Sequence, residues 1–210
     1  MIEDIIRKVL GMPPGTRKIN QDLETMRQII KPYQPHLIPF VEEKELELMS
    51  LKLEVKSQKK GLDRILNGTL QSIYNEPMVT FAYKDYIKGV REALLLCRTS
   101  HSELIFRIKK MDVDVYLNGT QVAMIDRNNI MHGIRSRMAL GRIRPYSNDL
   151  LSMIIKEREV GQMFNPLRPH NQQQRAFTLL SNLDDEEEAI FLALGLFEIL
   201  TSLLTNKRKK

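Results

Sequence analysis

The densest concentration of a single chemistry in this chain is cationic. Residues 127–148 contain five arginines and no aspartate or glutamate. Within the segment IRSRMALGRIR, Arg135 and Arg137 lie two residues apart, and so do Arg142 and Arg144. Alternate residues of a β-strand share one face, so on strands each pair projects to one side. A guanidinium is planar and presents its donors as a fork that matches a phosphate or carboxylate through two bonds at once. Held on rigid strands, these four side chains are candidate ligands for an anion. The competing reading is a solvated basic face offset by the acidic runs at residues 42–47 or 184–188, and exposed ion pairs of that kind contribute little.

Other chemistries have less to work with. His36, His101, His132 and His170 are scattered, with no i, i+4 pair and no metal-ligand spacing. Ser100-His101-Ser102 places hydroxyls beside an imidazole, but catalytic partners meet through the fold rather than through adjacency in sequence. No GxGxxG or GxxxxGK[ST] segment is present to cradle a phosphate, and Gly133 and Gly141 stand alone. Cys97 is the single cysteine, so no intrachain disulfide or cysteine metal cluster can form. Inside ALLLCRT it reads as a small buried hydrophobe suited to a reducing compartment. The expectation is a protein that is not an enzyme and takes no metal or cofactor. Nucleic acid is disfavoured as a partner, because single-strand binders interleave aromatic with basic residues. Tyr146 is the only aromatic in residues 127–148, and the chain has no tryptophan.

The composition frames these residues in an ordinary globular protein: 42% hydrophobic, 28% charged, net charge +6. The positive excess favours anionic partners without separating nucleic acid from a lipid headgroup or an acidic protein. The first residues, MIEDIIRKVLGMPPG, carry Glu3 and Asp4 and lack a long apolar core, which argues against a secretory signal and for a cytoplasmic location, in places peripheral to a membrane.

Periodicity places the elements. Ile2, Ile5, Ile6, Val9 and Leu10 predict a short amphipathic helix over residues 2–10, and Leu23, Met26, Ile29 and Ile30 predict a second over residues 20–30, capped by Asn20. Pro32, Pro35 and Pro39 predict an extended connector. Residues 1–40 therefore read as a helical arm, 41–206 as the body of a domain and 207–210 as a basic tail. From Glu45 the period changes to two, predicting a strand through Val55, with a short helix over residues 42–50 as the alternative. Asn67-Gly68 and Asn118-Gly119 each read as a type I′ hairpin turn, and the similarity of ILNGTLQSIY and YLNGTQVAMI suggests a repeated hairpin. Both also fit the glycosylation sequon, read here as turns only. Further strands are expected at residues 78–86, 93–98, 103–109, 112–117 and 175–180. Residues 134–143 read as a strand pair broken at Gly141, and residues 148–159 fit either a helix or two short strands. The result is an α+β layout dominated by antiparallel β-structure, with two N-terminal helices.

The last element, DDEEEAIFLALGLFEILTSLLTN, opens on acids that suit a helix N-terminus and is followed by Lys207-Arg208-Lys209-Lys210. Its polar stripe of Gly195, Glu198, Thr201, Ser202 and Thr205 is too narrow for a surface helix, so burial on most sides is expected. The apolar run at residues 189–205 sits at the short limit for a membrane span and contains Glu198; a tail anchor is the less favoured alternative.

A meander of short strands, the YLNGTQVAMI hairpin and a terminal helix as apolar as AIFLALGLFEIL together resemble the tubby-like superfamily, which includes the tubby domain, the phospholipid scramblases and the LURP-one-related proteins. The resemblance implies an antiparallel barrel-like sheet enclosing the hydrophobic C-terminal helix. It also implies a basic surface that binds anionic phospholipid headgroups, without carrying particular positions over to Arg135, Arg137, Arg142 or Arg144. The alternatives are a structural subunit that homo-oligomerises through its N-terminal helices and a tail-anchored membrane protein.

Overall fold

In a computed structural model that describes residues 14–39, 43–60, 63–86, 92–168 and 174–206, the chain forms twelve strands and two α-helices. The strands are β1 (Met49–Lys60), β2 (Asp63–Ser72), β3 (Pro77–Asp85), β4 (Ala93–Arg98), β5 (Glu103–Ile108) and β6 (Val113–Leu117). There follow β7 (Thr120–Ile125), β8 (Ile130–Gly133), β9 (Ala139–Pro145), β10 (Leu150–Ile155), β11 (Arg158–Phe164) and β12 (Phe177–Leu179). The helices are α1 (Thr16–Ile30) and α2 (Asp185–Asn206). Every strand is antiparallel to its sequence neighbour, in the order β1 to β12. Such a meander leaves two edges, and this sheet brings them together. The Ala176 amide donates to the Met49 carbonyl at 2.7 Å, Ser50 bridges to Arg175, and the Leu179 amide donates to Glu47 Oε1 at 2.7 Å. The sheet is thereby a nearly closed barrel.

Alternation along the strands divides inside from outside. In β4, Ala93, Leu95 and Cys97 join the central core, whereas Leu94 and Leu96 face outward beneath α1. Both faces of this strand are covered, which is why ALLLC reads as a continuous apolar run. Ile19, Met26 and Ile30 of α1 pack on Ile65, Ala82, Leu94, Leu96 and Ile105 of the outer wall. Two ion pairs cross that interface among the described residues: Lys84 Nζ lies 2.8 Å from Asp22 Oδ1, with both side chains buried, and Arg27 Nη2 lies 2.7 Å from Glu103 Oε1.

The inside of the barrel is filled by α2. Phe191, Leu196, Ile199 and Leu200 are wholly buried in it. By length and composition α2 could cross a membrane, but 61% of its most apolar window is buried within the fold. Glycines bring helix and wall together. A β-carbon on Gly195 would lie 2.6 Å from the Phe177 ring, and one on Gly161 would lie 2.9 Å from the Phe191 ring. The acidic run starts the helix by a reciprocal cap: the Glu187 amide donates to Asp184 Oδ1 at 2.8 Å, and the Asp184 amide to Glu187 Oε2 at 3.1 Å. Arg158 Nη2 completes it, 2.6 Å from Glu187 Oε2.

Several expectations need correction. Of the two N-terminal helices, the one expected at residues 2–10 lies outside the described residues, and α1 begins at Thr16 rather than Asn20. The proline segment is not extended; Lys31–His36 form a 3-10 helix with Pro near its start and Pro35 inside, since a 3-10 turn asks for fewer amide donors than a continuing α-helix. The helical alternative holds before β1, where Glu43–Leu48 is also 3-10. Asn118-Gly119 does form the tight turn, with φ of 48° and 83°, but Asn67-Gly68 lies in the middle of β2. There glycine serves close approach: a β-carbon on Gly68 would stand 1.8 Å from the Glu54 carbonyl oxygen of β1. The suggested hairpin repeat is therefore not one. Residues 134–138 form a turn rather than a strand, β9 runs unbroken through Gly141, and residues 150–164 form two strands rather than a helix.

Candidate functional site: the arginine-bearing strands

The basic stretch begins with Arg127 in the turn between β7 and β8 and continues through the β8–β9 turn into β9. Gly141 and Ile143 of β9 face the barrel interior, Gly141 against Ile190 and Leu194 of α2. Alternation then sends Arg142 and Arg144 to the outer face, as their spacing predicts. Two residues of strand separate their backbones by roughly 7 Å, within reach of one anion for two long side chains. Arg142 is partly buried between its cross-strand neighbours Ile130 and Ile154. Arg144 is exposed and opposite Ser152, whose row continues to Gln162 and Thr178.

Arg135 and Arg137 are elsewhere. They occupy the β8–β9 turn, closed by the Gly133 amide donating to the Met138 carbonyl at 3.0 Å and the Arg137 amide donating to the Gly133 carbonyl at 2.9 Å. Arg137 adopts φ 54°, so the pair does not alternate on a strand. Both are exposed, as are Ile134 and Met138 on either side. The structure thus unites Arg142 with Arg144 on one face and leaves Arg135 and Arg137 at a hairpin tip.

Counter-charge distinguishes this stretch from the basic residues that follow it. Lys156 pairs with Asp184 and Glu186, Arg158 with Glu187, and Arg175 with Glu47. Those carboxylates belong to the acidic runs that a solvated basic face would have used. Arg158 holds the Glu187 carboxyl below its usual range, helped by the Asp184 amide; the Glu187 amide does the same for Asp184. Arg127, Arg135, Arg137, Arg142 and Arg144 have no ion-pair partner among the described residues. Of the two acids that border the stretch, Asp126 and Asp149, the first is occupied: it accepts from the amides of Asn128 and Ile130 at 2.8 and 3.0 Å and meets His132 Nε2 at 3.1 Å. Burial works against its ionisation, but these bonds outweigh it and keep its carboxyl below the usual range.

Among the described residues, no three His, Cys, Asp or Glu side chains are grouped to hold a metal. Burial pushes the Cys97 thiol far up, away from nucleophilic use. Sequence reasoning overlooked one basic residue, Arg107. The alternation in ELIFRI puts it on the outer face with Ile105, and that pattern alone marks it as a cation set among apolar neighbours.

The chain matches no family model, no curated protein and no solved structure. What can be said of its class is architectural: an α+β protein in which a twelve-stranded, nearly closed antiparallel barrel surrounds a C-terminal helix, a layout compatible with the tubby-like one.

Proposed function

We propose that this chain is a non-enzymatic, tubby-like binding protein that recognises an anionic phospholipid headgroup through Arg142 and Arg144, with Arg135 and Arg137 adding attraction from the hairpin tip. The carrying observation is a stretch of five arginines without an ion-pair partner among the described residues, beside Lys156, Arg158 and Arg175, which each have one. An unpaired guanidinium is free to bind a phosphate in fork geometry without breaking a structural pair. Rigid β9 fixes two of them on one face, and Ser152 beside Arg144 offers a hydroxyl donor. Binding would hold the protein peripherally on an anionic cytoplasmic membrane surface. The apolar face of α1 is spent on its own barrel, which favours this reading over oligomerisation through that helix.

Sedimentation with vesicles tests it. The full chain should pellet with phosphatidylcholine vesicles containing phosphoinositide and stay in solution with phosphatidylcholine alone. Arg142→Glu with Arg144→Glu should abolish pelleting while the circular dichroism spectrum is unchanged. Equal pelleting by the variant would overturn the assignment.

A further inference from the structure

A second site lies on the opposite side of the chemistry just described, between α1 and the outer wall of the barrel. The seat of α1 leaves a cavity of about 300 Å³ along the helix from Thr16 to Arg27, the lower end of the range typical of small-molecule sites. Its walls are apolar where helix and sheet meet: Ile19 and Leu23 from α1, Leu94 from β4 and Ile105 from β5. Its polar groups are few. Arg107 of β5, Tyr116 of β6, and Thr16, Asn20 and Arg27 of α1 supply them, and Gly119 of the β6–β7 turn completes the lining.

The charges in this lining are unequal. Arg27 is neutralised by Glu103, with Nη2 2.7 Å from Oε1 and Nε 3.1 Å from Oε2. Asp114, which faces Arg107 across β5 and β6, is taken by Lys109 at 2.8 Å. Arg107 itself is partly buried and has no ion-pair partner among the described residues. Lys109 is shared between Asp114 and Asp112, both at 2.8 Å, and Arg107 is the one guanidinium of this lining outside an ion pair among the described residues. The helix adds to it independently. Thr16, on the rim, is the first residue of α1, the N-cap is a glycine, and the first turn contains no acid. The positive end of the helix dipole is left without a side-chain counter-charge.

We infer that this cavity binds a small amphipathic carboxylate, its anionic head on Arg107 and the start of α1, its apolar body against Ile19, Leu23, Leu94 and Ile105. A charge-assisted bond to a guanidinium favours a carboxylate head. A volume of this size admits a short chain or single ring and excludes a long acyl tail. The ligand would tie α1 to β5 and β6, so its binding raises thermal stability by mass action.

Titration calorimetry and thermal unfolding of the full chain with octanoate, octanol and acetate provide the test. Octanoate should bind at one site per chain at millimolar concentration and raise the melting temperature. Octanol lacks the charge and acetate lacks the body, and each should bind at least tenfold more weakly. Arg107→Gln should weaken octanoate at least tenfold, and Leu23→Trp, which fills the cavity from the helix side, should abolish binding. Either variant must retain the native circular dichroism spectrum; if Arg107→Gln does not, Arg107→Lys replaces it and should keep the charge but lose affinity. Arg142→Glu with Arg144→Glu should leave octanoate binding unchanged, so this site and the headgroup site can fail separately. No octanoate binding, or equal binding by the Arg107 and Leu23 variants, overturns the inference.

Discussion

Gly195→Ala weighs the seating of α2 against its helix propensity. In a helix interior, glycine is about 1 kcal/mol less favourable than alanine, so on a free helix this substitution stabilises by that amount. Here the new β-carbon would meet Phe177 Cζ at 2.6 Å and Cε1 at 2.8 Å. Carbon atoms prefer about 3.5–4.0 Å, so the ring must retreat by about 1 Å. It has little room, being 1% exposed and in edge contact with Phe191 at 5.1 Å between centroids. Overpacking of this kind costs about 1–3 kcal/mol, which leaves a net loss near 1 kcal/mol at mid-range. Phe177→Leu removes the obstructing ring edge, and in that background Gly195→Ala should stabilise by about 1 kcal/mol. Equilibrium unfolding in urea of the two single variants and the double variant gives the coupling, expected near 2 kcal/mol and well above the ~0.5 kcal/mol scatter of independent sites. A stabilised Gly195→Ala in the unaltered chain, or simple additivity, would refute the placement of α2 against β12.

Two further outcomes follow from the charge pairs. Asp22 is paired with Lys84 at 2.8 Å and with Lys18 at 3.0 Å, so Lys84→Met, which leaves Lys18 in place, should cost less than Asp22→Asn, which removes the charge both lysines share and should cost up to about 3–5 kcal/mol; urea unfolding would contradict this if Lys84→Met were the less stable of the two. Glu187 and Asp184 have folded pKa values below their unfolded ones, so their contribution is complete at neutral pH and is lost as the pH falls through the folded values. Glu187→Gln should accordingly lower stability at pH 7 and flatten its decline below about pH 4.5, read from melting temperature against pH; an acid limb as steep as that of the unaltered chain would show that the cap does not carry the dependence.

How far the fold was legible depended on whether local pattern and tertiary context agreed. The narrow polar stripe of α2 announced burial on most sides, because no surface helix leaves so little of itself polar. Strands such as ALLLCR and ELIFRI were legible as short apolar runs, the mark of strands covered on both faces. Asn67-Gly68 misled because its glycine answers to the Glu54 carbonyl of the neighbouring strand, a constraint absent from the local sequence. The same holds for the arginines. Spacing correctly paired Arg142 with Arg144, but Ile134 to Met138 turn back on Gly133, and nothing in the IRSRM composition fixes that reversal. Arg107 escaped notice because its importance lies in a helix from another part of the chain, not in its neighbours.

Counter-charge, rather than arginine density, is what separates the arginines held in structural pairs from the others in this molecule. Arg158 and Arg144 both sit on strands of the same side of the barrel, yet their availability differs. Arg158 holds Glu187, and Glu187 in turn caps α2, so a ligand that drew Arg158 away would loosen the start of the core helix. Arg144 holds nothing and can be recruited without such a cost. The contrast repeats across the cavity under α1, where Arg27 is committed to Glu103 and Arg107 is not. An anion approaching this protein therefore meets two kinds of guanidinium. The committed ones raise the local potential but keep their partners, and only the uncommitted ones can close on a ligand. Removing Glu103 leaves Arg27 with only the exposed Glu24 at 3.9 Å, so the cavity should gain a second available guanidinium and a preference for dianions over monoanions.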